Sequence, residues 1–386
     1  MFFTADRSSV TAYAVDYEAI MKAQQRAVDA NDLLNSTFDF TLEYPYPDDY
    51  SGDWVSDSGD MVIWLTSDDN IDDYKTLLSE YADIIEYRFV DHSFNELLLA
   101  VKELGTGLEH EIYVKEFGPD ILNNSIFITF SEEASQDNYD ILYKYVDVTE
   151  NGYAFTYKGD TYNVEITWDE PEVDEEVSYH GGSPLNLTSS GYCQTMSCNG
   201  YYNNHLGFVT CGHSQVLGHV MYSNGSFVGV TSYVNYPTVS TPNVTGDFSF
   251  INSVAPYGTT ITSSPYYYNL PSTSLMTFVG VSSQPLLGSV LYKYGQTSGK
   301  TTVQVSSLNV SRTVNLSDGS TGHISGLSIA NILSGTSAGG DSGGPYTYES
   351  KFAGVHNGST VSSGGNTVYF TPAAYVLSAG VSIVTN

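Results

Sequence analysis

Basic residues are scarce in this chain of 386: Lys and Arg together number 13 against 44 Asp and Glu, a formal charge of −31. Gripping a nucleic-acid backbone requires clustered cations that displace its counterions, so nucleic acid is excluded as a partner. Long apolar runs are missing as well. None approaches the ~20 residues a helix needs to cross a bilayer, and no membrane partner is expected. The opening stretch, MFFTADRSSVTAYAVDYEAI, lacks a basic flank followed by an apolar run, so no secretory signal is visible in it. Cysteine is limited to Cys193, Cys198 and Cys211, all close together. In an oxidising compartment the simplest arrangement is one disulfide and one free thiol, though three cysteines do not establish the compartment.

The charge that is present is unevenly placed. After Glu176 the acids are Asp247, Asp318, Asp341 and Glu349, and the bases are Lys293, Lys300, Arg312 and Lys351. The second part is therefore formally neutral, and all the net negative charge lies in the first. A length beyond one ordinary core and a charge step of this size predict two domains, residues 1–176 and 177–386. The connecting stretch WDEPEVDEEVSYHGGSP (168–184) carries two prolines, a carboxylate run and a Gly pair.

In the first part, apolar spacing predicts helices over Asp16–Leu34, Ile71–Tyr81, Phe94–Leu104 and Tyr139–Val146. Strands are predicted at 61–66, 84–90, 111–117 and 125–130, with a further pair around the Gly159-Asp160 turn. This mixture predicts an α+β unit with helices on one face of an open sheet. From about residue 180, helical periodicity gives way to Gly, Ser, Thr, Asn, Tyr and Val with frequent turns, which predicts an all-β domain.

Chemistry concentrates in Gly340-Asp341-Ser342-Gly343-Gly344-Pro345. A serine hydroxyl is a weak nucleophile until a base takes its proton, and the oxyanion it creates needs N–H donors. Glycines around Ser342 let the N–H groups of Gly340 and Ser342 converge on one point. A base stands in Thr210-Cys211-Gly212-His213-Ser214, after the apolar strand LGFVT. Asp247, opening the strand DFSFI in a domain with only four acids, can fix the imidazole tautomer. A zinc site at Cys198, Cys211 and His213 fits no common spacing and would consume the base, so no metal and no cofactor is expected.

These three segments, in the order His213, Asp247, Ser342, resemble the chymotrypsin family of serine proteases, and within it the alpha-lytic protease and streptogrisin group. HGGSPL is similar to the mature start of that group, LYKYGQTSGKTTVQVSSLNV to its central hairpin region and FTPAAYVLSAGVSIV to its closing helix and strand. GPDILNNSIFITF, after the helix FNELLLAVKELG, is similar to its pro-regions. The resemblance implies two antiparallel six-stranded β-barrels with the triad between them, an Asp341 that orients the oxyanion loop, and a secreted enzyme. It also implies that residues 1–176 act as intramolecular chaperone and inhibitor, with protein or peptide substrates as the other partners. Ser214 stands where family members usually carry cysteine, so the bridge is expected to be either shifted, with Cys211 pairing with Cys193 or Cys198, or absent.

Cleavage is expected within Glu175–His180. The pattern Gly354-Val355-His356 is similar to glutamyl endopeptidases, which makes Ser337, His356 and Gly358 candidate substrate-binding residues with His356 and Ser337 donating charge-assisted hydrogen bonds to a glutamate. A small or apolar pocket cutting after Tyr179, or an inactive binding protein on a protease fold, are the alternatives.

Overall fold

The computed structural model describes residues 16–42, 44–108, 114–131, 144–149, 152–169, 184–187, 193–223, 226–253, 266–268, 275–316, 318–362 and 365–386. The predicted junction 175–180 lies outside them. So does most of the predicted helix Tyr139–Val146.

The first helix, Tyr17–Asn35, starts where the Asp16 side chain accepts the Ala19 N–H at 3.1 Å, a capping bond that satisfies one of the free amides of the first turn. Helix Ile71–Leu77, extended by a 3₁₀ turn at Ser79–Tyr81, crosses between the parallel strands Met61–Leu65 and Ile85–Phe89. The strand Tyr50–Val55 pairs antiparallel with Met61–Leu65 and was not foreseen, because Gly52 and Asp53 interrupt any apolar alternation. Helix Phe94–Leu108 runs past the predicted Leu104. Leu108 continues the buried stripe of Leu97, Val101 and Leu104, so burial carries the helix one turn further.

The remaining strands of the first part leave that small sheet, which corrects the expectation of one open sheet under helices. Val114–Asp120 pairs with Gly299–Asn315 of the second part, at Ser311 with Phe117 and Arg312 with Glu116. Beyond it follow Ser125–Ser131, Asp160–Asp169, Gly152–Tyr157 and Asp147–Thr149. An edge strand with unpaired amides needs a partner, and here the partner comes from the other half of the chain.

The second part is mostly β. One antiparallel sheet of eight strands has Phe248–Ser253 and His205–Thr210 side by side near its middle. In the other, the strands Thr321–Ser334, Gly365–Pro372, Lys351–Ser362, Pro345–Tyr348, Val290–Gly295 and Gly299–Asn315 follow one another, and the last pairs back to the first, closing a ring of six. Closure removes exposed sheet edges.

The first helix lies against this ring through polar anchors in an otherwise apolar contact. The amide of Gln24, fully buried, donates to Gly288 O at 3.2 Å and accepts from the Val290 N–H at 3.1 Å. Asn31 donates to Gln284 O, and the Tyr348 hydroxyl donates to Met21 O. Lys351 Nζ reaches Asp29 at 2.9 Å and Asp32 at 2.7 Å. The buried side-chain amides of Gln24 and Asn31 find partners across the contact, and an unmatched one costs about 1–3 kcal/mol, so these anchors fix position more than they add strength.

Candidate active site

Strand register brings the base and its acid together. His205–Thr210 pairs with Phe248–Ser253 so that Thr210 faces Ser249, which sets Cys211-Gly212-His213 beside Asp247 at the same end of the sheet. Asp247 is 2% exposed. Its Oδ1 accepts the N–H groups of Gly212 at 2.6 Å and His213 at 3.0 Å, and its Oδ2 lies 2.7 Å from His213 Nδ1. With Oδ2 as acceptor, Nδ1 carries the ring proton and Nε2 of the neutral ring is left as a base. Burial opposes protonation of His213, but the Cys211 sulfur and the Asp247 carboxylate outweigh it and raise the imidazole well above its usual pKa.

The backbone of Asp247 is clamped from the six-strand ring by two residues that the sequence reading missed. Thr371 Oγ1 accepts the Asp247 N–H at 2.8 Å and donates to Asn357 Oδ1 at 2.9 Å, while Asn357 Nδ2 donates to Asp247 O at 2.6 Å. Nothing in their local sequence marks them, since the contact spans more than a hundred residues.

The serine segment is seated on the histidine segment. Ser342, half-buried, accepts the Thr195 N–H on its backbone oxygen at 2.7 Å. Gly343 has φ +87°, and a Cβ there would collide with Thr210 Oγ1 and Thr195 O and approach Cys211 N to 3.0 Å. Only glycine lets the two segments meet. Gly340 adopts φ +94°, and its carbonyl accepts from Thr195 Oγ1 at 2.8 Å. His213 and Asp247 are thus joined directly, and Ser342 is brought alongside through Gly343. No hydrogen bond joins Ser342 Oγ to His213; such bonds are often long before substrate arrives.

Asp341 anchors the same loop. Its carboxylate, fully buried, pairs with Lys293 Nζ at 2.5 Å and accepts the N–H groups of Thr297, Ser298 and Ala338, each at 3.0 Å, as well as the Ser298 hydroxyl. Burial alone would push this carboxyl up; the Lys293 cation and the hydrogen bonds hold it below the ordinary range. Lys293 was legible as one of four bases in the second part, set within the apolar strand VLYKYG, yet its role was not foreseen.

His356 is 1% exposed, with Nε2 3.1 Å from Ser337 Oγ and Nδ1 3.1 Å from the Tyr346 hydroxyl. Burial, reinforced by the Lys293 cation, pushes its pKa well below the usual value. The ring is therefore neutral, and a hydrogen bond from it to a carboxylate would be charge-assisted through the acceptor alone. Gly358 is half-buried two residues further along the same strand.

Cys198 and Cys211 are buried free thiols, so the expected disulfide, with Cys211 paired to Cys193 or Cys198, does not hold. Cys198 pairs across the strands with Val209, two residues short of Cys211. The side chain of Cys193 lies outside the described residues. Among the described residues no group of three or more His, Cys, Asp or Glu could hold a metal.

Among solved structures the chain is similar to Thermobifida fusca protease A, with 24% identity over 54% of this chain and 99% of that one and a TM-score of 0.43. It is similar to Nocardiopsis protease at 20% identity, 54% and 99% coverage and a TM-score of 0.43. It also resembles a glutamic acid-specific serine protease that utilises a histidine triad in substrate binding, at 25% identity, 53% and 99% coverage and a TM-score of 0.43. The likeness is to alpha-lytic-like, chymotrypsin-fold serine proteases and spans about half of this chain. No family model and no curated protein matches it. At this identity the likeness concerns fold, and the chemistry below rests on the geometry of this chain.

Proposed function

We propose that this chain is a secreted serine endopeptidase made as a zymogen, with residues 177–386 as the protease domain and residues 1–176 as its pro-region. In this reading the ring of six is one of the two expected six-stranded barrels, and the eight-stranded sheet, two strands larger than expected, takes the place of the other. One observation carries it: a buried Asp247, fixed by two backbone amides, holds the tautomer of His213 at 2.7 Å, while Gly343 seats the Ser342 loop against the same segment. His213 Nε2 takes the Ser342 proton as Oγ attacks the peptide carbonyl, and the Gly340 and Ser342 N–H groups receive the oxyanion. The imidazolium then gives its proton to the leaving amine. Water repeats the sequence on the acyl-enzyme and frees the carboxylate product.

A fluorophosphonate reagent, which phosphonylates a serine with a working base as fluoride leaves, tests this reading. It is expected to label Ser342 in wild type but not in His213→Ala, and the Ser342→Ala chain is expected to stay full length where wild type is cut within residues 175–180. Equal processing of the serine variant in purified form would rule out self-cleavage.

Specificity follows from Ser337, His356 and Gly358. A glutamate carboxylate can accept from the neutral His356 N–H and the Ser337 hydroxyl, which are already within 3.1 Å of each other. His356 is hydrogen-bonded to Ser337 and Tyr346, and Tyr346 stacks on Phe370 at 4.2 Å. That aromatic backing also suits an apolar pocket. Profiling on a mixed peptide library decides between them: a glutamate pocket predicts that His356→Ala lowers kcat/KM about tenfold or more on Glu substrates relative to Ala substrates. Cutting after Tyr or Leu with none after Glu would eliminate it.

A further inference from the structure

Glu116, in the first part of the chain, accepts from its own neighbour Thr129 on Oε1 at 3.4 Å and rests its other carboxylate oxygen on a cradle built by the second part. The Tyr369 hydroxyl donates to Glu116 Oε2 at 2.6 Å. The guanidinium of Arg312 lies over the Tyr369 ring, 4.9 Å from its centre, and Arg312 stands opposite Glu116 in the strand pairing. Tyr369 is 2% exposed and is packed with Val310, Ile324, Leu327 and Ile329, so the ring of six holds this phenol in place.

The cradle borders the candidate active site. Tyr369 faces Gly358 across paired strands, and a Cβ at Gly358 would sit 3.6 Å from Arg312 Nη1, so the guanidinium lies over bare backbone there. Gly358 is two residues, ~7 Å of extended chain, from His356. The other three bases of the second part are engaged elsewhere: Lys293 with Asp341, Lys300 over the Tyr292 ring, and Lys351 with Asp29 and Asp32.

We infer that Arg312 and Tyr369 form a carboxylate-binding subsite for an acidic residue of a peptide substrate on the acyl side of the scissile bond, and that Glu116 fills this subsite in the uncleaved chain. A planar guanidinium beside a phenol donor is suited to a carboxylate. The inference rests on the endopeptidase reading for its substrate. The occupancy by Glu116 also gives the first part of the chain a local means of blocking it.

Two measurements test the inference. In the first, matured enzyme is given peptide pairs carrying Glu or Gln at the second, third or fourth residue before the cleaved bond. At one of these positions Glu is expected to raise kcat/KM about tenfold over Gln, and Arg312→Gln or Tyr369→Phe should bring that ratio close to one. In the second, calorimetry on the full-length Ser342→Ala chain should find no Glu-over-Gln preference in peptide binding until Glu116→Gln is added. Adding Arg312→Gln should abolish the preference again. The two hydroxyl and guanidinium variants guard against either one misfolding. A Glu:Gln ratio that survives both, or no preference gained on removing Glu116, overturns the subsite. Should fluorophosphonate fail to label Ser342, the endopeptidase reading fails instead, and the binding measurement still decides on the cradle.

Discussion

Replacing Ser342 or His213 with alanine is expected to lower kcat/KM on a peptide substrate by roughly several thousand-fold, and Asp247→Asn by about ten thousand-fold. These losses should not multiply, because the three groups act as one unit: a Ser342→Ala, His213→Ala double variant should be little worse than either alone. The Asp247 variant carries the sharper structural information. Its Oδ2 now accepts from Nδ1, and an amide nitrogen there would impose the opposite tautomer and remove the free base at Nε2. The pH profile supplies a further check. Catalysis needs neutral His213, whose pKa is raised, so the acidic limb of kcat/KM should lie above the ordinary histidine value near 6.5 and activity should rise only on the alkaline side of it. A His213→Ala enzyme with near-normal turnover would remove the assignment.

Lys293→Met is expected to destabilise the chain by about 3–5 kcal/mol, because it leaves Asp341 as a buried carboxylate without its cation. The loss should be largest at neutral pH. In wild type Asp341 is held below its unfolded pKa of about 3.9, so its contribution is fully present above that value and is lost as pH falls through the lower folded one. With Lys293 gone, burial dominates and the folded pKa rises, so the variant should regain stability on acidification while wild type loses it. Urea unfolding at pH 7 and pH 4 reads the variant's gain, and unfolding carried below about pH 3.9 reads the wild-type loss. Because the same carboxylate fixes the Ala338 amide and the turn that presents Ser342, the variant should also lose activity at temperatures where it remains folded. Equal urea midpoints for the two chains at pH 7 would show that the pair contributes nothing to the fold.

The helices of the first part were readable because burial repeats along them: Met21, Gln24, Ala27, Val28, Asn31 and Leu34 line one face of the first, and Leu97, Val101 and Leu104 one face of the third. The strand Tyr50–Val55 was not, since Gly52 and Asp53 carry no alternation and the strand is held by Met61–Leu65 on one side and by Val55 N–H donating to Leu287 O on the other. The candidate triad was readable for a different reason. Acyl transfer needs a particular set of residue types, and glycines around Ser342 and a lone acid at Asp247 leave few other readings.

By itself, then, the sequence determined which residues can perform chemistry and where the charge step divides the chain, because residue type and local spacing are carried along the backbone. The tertiary structure decided the rest. It passed the Val114–Asp120 strand to the second part's ring and set Asn357 and Thr371 on the Asp247 backbone. It buried Lys293 against Asp341 and neutralised His356. Each of these depends on residues tens to hundreds of positions apart meeting where water is excluded, and a charge or hydrogen bond there takes its value from partners and burial that no local pattern encodes.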